Sequence, residues 1–176
     1  MQKNLQKDLC EKACKIEQAK GVEKTHKKFI RQALTQAKRA LSKDEVPIGA
    51  VVVKDGKIIS KAYNKREKSQ IATHHAEILA INKACKKLKS WRLDNCDLYV
   101  TLEPCPMCAG AILNARIKNL YYAAKDENSG GITRFNLMEN TLNHTTNCNH
   151  LVEYEQQCSN LIKNFFKDKR NKKKEQ

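Results

Sequence analysis

The spacing of apolar residues marks out the elements of this chain. Phe29, Ile30, Ala33, Ala37 and Leu41 fall on one face, with basic residues opposite, and predict a helix over residues 26–41. Upstream, Leu5, Leu9, Ala13 and Ile16 keep helical spacing, but the stripe is thin and broken by lysines. A weakly helical or disordered extension ending near Gly21 is expected there. Pro47 ends the helical pattern. Ile48–Val53 is a continuous, β-branched apolar run, Asp55-Gly56 is a turn signal, and Lys57–Tyr63 follows with Ile58 and Ile59, so a β-hairpin is predicted. Residues 75–86 carry Ile78, Leu79, Ile81 and Ala84 and predict a second helix. Strands are expected at Asp97–Leu102 and Lys118–Ala124, and Ser129-Gly130-Gly131 marks a loop.

Between those two strands, Pro104-Cys105-Pro106 opens a helix running to about Ala115. Proline suits the first helical position, where its missing N–H has no partner to lose, so Pro106 is placed at N1 and Cys105 at the N-cap. Leu161–Phe166 belongs to a C-terminal helix that runs into a lysine-rich end. No internal repeat is present. The order helix, hairpin, helix, strand, helix, strand, helix predicts an α/β fold with one mixed sheet covered by helices on both faces. At 176 residues the chain fits one domain with tails.

Charge adds a partner class to this picture. The net charge is +15, from 34 Lys+Arg against 19 Asp+Glu. It is concentrated at the ends: residues 1–28 hold eight Lys against four acids, and residues 163–176 hold seven Lys+Arg against two. A charge of this size predicts attraction to a polyanion and says nothing about fold. No run of 18 apolar residues exists, so no membrane helix is expected. The first 21 residues lack an apolar segment, and Asp8, Glu11, Glu17 and Glu23 are unlike an organellar transit peptide, so neither kind of leader is expected. Eight cysteines without a secretory signal predict a reducing, cytoplasmic setting and metal or thiol chemistry in place of disulfides.

The chemistry is concentrated in two short segments. His75-Ala76-Glu77 is followed by Pro104-Cys105-Pro106-Met107-Cys108, an H-x-E…P-C-x-x-C pattern that marks zinc nucleobase deaminases. Two cysteines three apart at a helix start can turn both sulfurs to one side, and the positive helix end favours thiolates there. With His75 they make three protein ligands for zinc and leave a fourth position open. Two thiolates cancel much of the metal's charge, so a base beside the site matters, and Glu77 supplies it. Residues two apart do not share a helix face, so His75 and Glu77 can reach one site only where the chain is entering the helix. A lone C-x-x-C also fits half of a structural zinc site or a redox pair, but no second such motif exists and neither alternative needs the upstream H-x-E. Cys10, Cys14, Cys85, Cys96, Cys148 and Cys158 lack ligand spacing. His74 lacks a Glu two residues on, and His26, His144 and His150 are expected to be ordinary surface or loop histidines.

Longer segments carry a family resemblance. Glu45–Val53 (EVPIGAVVV), Asn64, His75–Ile78 (HAEI), Leu98–Ile112 (LYVTLEPCPMCAGAI), Asp126 and Asn149-His150 resemble the bacterial-type tRNA-specific adenosine deaminases, over roughly residues 26–170. The resemblance implies a cytidine-deaminase-like three-layer α/β/α sandwich with a central mixed sheet of about five strands. It implies one Zn2+ per subunit on His75, Cys105 and Cys108, with Glu77 as proton shuttle, and hydrolytic deamination of the wobble adenosine of a tRNA anticodon to inosine. Asn64 would hydrogen-bond the flipped base, Asp126 would lie near the ribose, and Phe165, Phe166 and the basic tail would meet the anticodon stem-loop of a tRNA bound by a homodimer. The corresponding division is a basic extension over residues 1–25, a deaminase domain over 26–166 and a basic tail over 167–176. Three features depart from the pattern: the N-terminal extension, Arg134 and Phe135 within Gly130–Leu137 where the family is small and polar, and a shorter stretch between Val152 and Phe165. Two other functions share parts of this site. A small-molecule deaminase acting on guanine, cytosine or a riboflavin precursor needs the zinc but no basic surface. A zinc-stabilised RNA-binding module has no use for Glu77.

Overall fold

The computed structural model describes residues 25–138 and 144–174, apart from the side chain of Lys173. The expected extension over residues 1–24 lies outside the described residues. In chain order the elements are helix α1 (residues 25–41), β1 (Gly49–Lys54), β2 (Lys57–Tyr63), the short α2 (Arg66–Ser69), α3 (Ala76–Leu88), β3 (Cys96–Leu102), α4 (Pro106–Asn114), β4 (Asn119–Ala124), β5 (Asn147–His150) and α5 (Val152–Lys174).

The strands form one mixed sheet in the order β2-β1-β3-β4-β5. β1 pairs antiparallel with β2 and with β3, while β3, β4 and β5 run parallel. The hairpin register shifts by one residue between Val52 and Val53, a bulge that adds twist at this sheet edge. Because side chains alternate across a strand, each central strand feeds two cores. Ala50, Val52, Leu98, Val100, Leu120 and Tyr122 pack on one face against Ala80 and Ala84 of α3 and Ile112 of α4. Val51, Val53, Tyr99 and Ala123 pack on the other against Phe29, Ile30 and Ala33 of α1 and Cys158 of α5. Burial on both sides explains why β1 is apolar without a break. Ile30, Leu98, Ile112 and Leu120 are fully buried, each contributing about 1.5–3 kcal/mol of transfer free energy. The three layers and five strands are those of the predicted sandwich.

Gly49 sets how closely α1 lies on β1: a Cβ there would sit 2.1 Å from the Ala33 carbonyl oxygen, so only glycine fits. The face of α1 is shifted relative to the expected one. Leu34 and Ala40 are buried, and Leu41 is 40% exposed because the helix ends there, with Glu45 N–H donating back to the Ala40 carbonyl.

Three further elements differ from the pattern-based expectation. β5 has the sequence Asn-Cys-Asn-His, which carries no strand signal; its place comes from pairing with β4 and from the Thr146 hydroxyl donating to the Ile117 carbonyl at 2.7 Å. α2 is a single turn. α5 begins at Val152, well before Leu161, on a polar face that hid its apolar positions, Cys158 and Phe165. It runs unbroken past residue 167 to Lys174. Among the described residues no helix is long and apolar enough to cross a membrane.

Candidate active site

One edge of the sheet gathers the chemistry. β2 runs parallel to β3, since both pair antiparallel with β1, so the carboxyl ends of β2, β3 and β4 lie together. Asn64 follows β2, Glu103-Pro104-Cys105 follows β3, and Asp126 comes shortly after β4. Glu45–Ile48 enters β1 at the same edge. In open α/β sheets ligands bind beyond the carboxyl ends of the strands. Here a cleft of about 670 Å³ opens there, of a size for one nucleoside-like ligand.

His75 and Glu77 enter the cleft from the start of α3. His75 is the N-cap, in extended conformation (φ −73°, ψ 154°), and Glu77 stands in the first turn. The change from extended to helical backbone lets residues two apart turn to one place, which a continuous helix forbids. Cys105 is the extended N-cap of α4 and Pro106 follows at its start, as predicted. One turn on, Cys108 is fully buried. Both sulfurs lie 3.6 Å from His75 Nδ1, and the three ligand atoms lie within 4.8 Å of one another. These residues can hold a metal ion. A tetrahedral ion with bonds of about 2.3 Å to sulfur and about 2.0–2.1 Å to nitrogen would set nitrogen and sulfur about 3.6 Å apart. The donor set therefore fits zinc in chemistry and in spacing.

The three side chains perturb one another strongly. Cys105 is held down, to about 4, by hydrogen bonds from Cys108 and His75, whereas Cys108 is pushed up by the same bond and by burial. The hydrogen bond to Cys105 raises His75. Burial pushes the Glu77 carboxyl up to about 7. Glu77 is 3% exposed and its Oε2 is buried without a hydrogen-bond partner. A buried carboxylate oxygen left unpaired is destabilising unless something binds there.

Asn64, Asp126, Phe165 and Phe166 line the same cleft as His75, Glu77 and Cys105. Asp126 is already engaged: its carboxylate accepts from the N–H groups of Asn128 and Ser129 and from the Ser129 hydroxyl, which shapes its own loop. Phe165 is buried and Phe166 is 43% exposed. Arg134 and Phe135 pack on each other at the surface, the guanidinium 5.6 Å from the ring centroid. Of the other histidines, His74 meets the Ser69 hydroxyl at 2.8 Å, and three more are held by hydrogen bonds of their own. His26 meets the Tyr99 hydroxyl at 2.8 Å, His144 the Ile117 carbonyl at 2.8 Å and His150 the Ala123 carbonyl at 2.9 Å.

Two buried glutamates were not singled out from the sequence. Glu103 accepts from the N–H groups of Asp126, Ile132 and Thr133 and from the Thr133 hydroxyl, tying the post-β4 loop to the start of α4. A Cβ at Gly130 would come within 2.3 Å of Glu103 Oε1. Glu45 accepts from Asn64 Nδ2 and from the N–H groups of Glu67 and Lys68. A signal was present only for Glu103, an acid closing an apolar strand, where a buried acid must be partnered; Glu45 follows Lys43 and Asp44 and reads as one more surface charge.

Comparison with known proteins bears on this geometry. The sequence profile of the MafB19-like deaminases matches residues 24–170. The chain belongs to this deaminase family. It is 46% identical over 145 residues to a tRNA-specific adenosine deaminase of Aquifex aeolicus, covering 81% of this chain and 95% of that protein. A solved structure from work on A-to-I editing by tRNA:A34 deaminases superposes with a TM-score of 0.72 at 41% identity, covering 77% of this chain and 99% of the other. A guanine deaminase from Bacillus subtilis shares 47% identity over 57% of this chain and 64% of its own, with a TM-score of 0.55.

Proposed function

We propose that this deaminase converts the wobble adenosine of a tRNA anticodon to inosine, using zinc held by His75, Cys105 and Cys108 and Glu77 as proton carrier. The observation that carries the reading is the convergence of one imidazole nitrogen and two sulfurs beside an unpartnered, buried carboxylate oxygen. Near-full-length similarity to tRNA-specific adenosine deaminases supports the substrate assignment.

Zinc at that site would supply Lewis acidity and lower the pKa of a water molecule in its open position. With the site loaded, Glu77 would carry two protons in turn through its free Oε2, one from the attacking water to the ring nitrogen of the base and a second from the new C6 hydroxyl to the departing amino group, so that adenosine and water become inosine and ammonia. The cleft admits a base and not a duplex, so the adenosine enters flipped out of its stack, which is inexpensive in an anticodon loop. Asn64 orients the base from the cleft wall, and Val46, Ile48 and Leu102 help keep bulk water out. Phe166, Lys169 and Arg170 on α5 stand at the cleft for the flanking nucleotides and phosphates. The working unit is a cytoplasmic homodimer. The deaminase domain spans residues 26–166, with residues 1–25 and 167–176 as basic appendages.

The similarity to a guanine deaminase favours one second reading, deamination of a free purine. Incubation of the purified protein with transcribed tRNAs, followed by sequencing, separates the two. Inosine at the wobble position, absent with Glu77→Ala, is expected. Release of xanthine from guanine with unaltered tRNA would replace the tRNA reading with the other.

A further inference from the structure

Glu45 makes no hydrogen bond to any of the three metal-site residues, yet it is 1% exposed and both its oxygens are occupied just behind the cleft wall that Asn64 lines. Oε1 accepts the Lys68 N–H at 2.7 Å; Oε2 accepts the Glu67 N–H at 3.2 Å and Asn64 Nδ2 at 3.0 Å. Asn64 itself is 4% exposed, and its backbone N–H is fixed on the Ile48 carbonyl at 3.1 Å. A carboxamide has two faces of opposite hydrogen-bonding character, and rotation by 180° exchanges them. Here a flipped Asn64 would set its Oδ1 against Oε2, with acceptor facing acceptor in a buried place.

We propose that Glu45 is a positioning residue for the deamination reaction: by holding one Nδ2 hydrogen of Asn64 it fixes which donor and acceptor of that amide meet the substrate base. This rests on the function proposed above. The second Nδ2 hydrogen and Oδ1 are then presented in one fixed order. A base is read correctly only if its acceptor and donor edges match that order, so Glu45 contributes to base choice without touching the base. The same carboxylate braces the turn from Asn64 to His74, where the Lys65 N–H donates to the His74 carbonyl at 3.0 Å, one residue before His75. A purely structural role in that turn would therefore show itself in metal content.

Glu45→Gln is the informative change. It keeps shape but offers one acceptor oxygen where the carboxylate offers two: with the oxygen toward Asn64 and Glu67 its NH2 faces the Lys68 N–H donor to donor, and with the NH2 toward them Asn64 loses its acceptor, so in both orientations the hold on the Asn64 amide is weakened. Single-turnover inosine formation at saturating tRNA is expected to fall by about 10- to 100-fold, with zinc content and tRNA affinity unchanged. In a double-mutant cycle, Glu45→Gln in the Asn64→Ala background is expected to cause no further loss, because its action runs through Asn64. A readout independent of activity is the Asn64 side-chain NH2 pair in the nitrogen–proton spectrum, assigned by its disappearance in Asn64→Ala. One of its protons should exchange slowly in wild type and quickly in Glu45→Gln. Additive losses in the cycle, loss of zinc in Glu45→Gln, or unchanged amide exchange would overturn the proposal. Absence of inosine with wild-type protein would instead count against the substrate reading, and the exchange measurement would still decide the role of Glu45.

Discussion

The floor of the cleft and its mouth are built by different means. On the floor, His75 with Glu77 and Cys105 with Cys108 come from the first turns of two helices, and each pair is fixed by local backbone geometry. The ligand atoms are close, poorly exposed and mutually perturbing in their proton affinities. At the mouth, Phe166, Lys169 and Arg170 come from one long helix, reach solvent and meet the rest of the cleft from far along the chain. Lys169 pairs there with Asp44, 125 residues away in sequence. The difference teaches that chemistry needs a few atoms held tightly, whereas attraction to a polyanion tolerates spread and exposure.

Changes to the floor should be severe and all-or-none. Cys108→Ala removes a ligand buried at the core of the cluster and should reduce inosine formation to background, strip zinc from the purified protein and lower its Tm; elemental analysis and thermal unfolding check all three. Glu77→Gln should cut the single-turnover rate by about 10²- to 10⁴-fold while leaving zinc bound. Retained activity in Glu77→Gln would erase the distinction between floor and mouth.

Changes to the mouth should be graded. Phe166→Ala should weaken tRNA binding by about 1–3 kcal/mol if a base stacks on the ring, with Tm unchanged because the side chain is 43% exposed. Arg170→Ala should shift affinity less at physiological salt but reduce the slope of log affinity against log salt by about one, as expected for one lost phosphate contact. Lys169→Ala breaks a surface ion pair and should leave Tm nearly unchanged, since the Lys169 and Asp44 side chains are 39% and 69% exposed. A salt slope unmoved by Arg170→Ala would reduce the basic end of α5 to a solubility device.

The same contrast governs what was legible in the sequence. The floor was readable because its logic is local: a histidine two before a glutamate, and two cysteines three apart after a proline, carry their geometry in the backbone of a helix start. The layered architecture was readable because β1, β3 and β4 are apolar enough to signal strands on their own. β5 was not, since Asn147–His150 owes its place to the neighbouring strand and not to its side chains. The start of α5 was hidden for a related reason: Val152 is 64% exposed, and the buried positions that follow are widely spaced. Glu45 and Glu103 act through contacts 19 to 30 residues away, so their sequence neighbourhood says little: Glu45 follows Lys43 and Asp44, and Glu103 only ends an apolar strand.

X-ray absorption at the zinc edge on active, purified protein tests the central claim most directly. Two sulfur and one nitrogen neighbours per zinc are expected, with one sulfur lost in Cys105→Ser. A spectrum with four sulfur neighbours, or active protein containing no zinc, would contradict it.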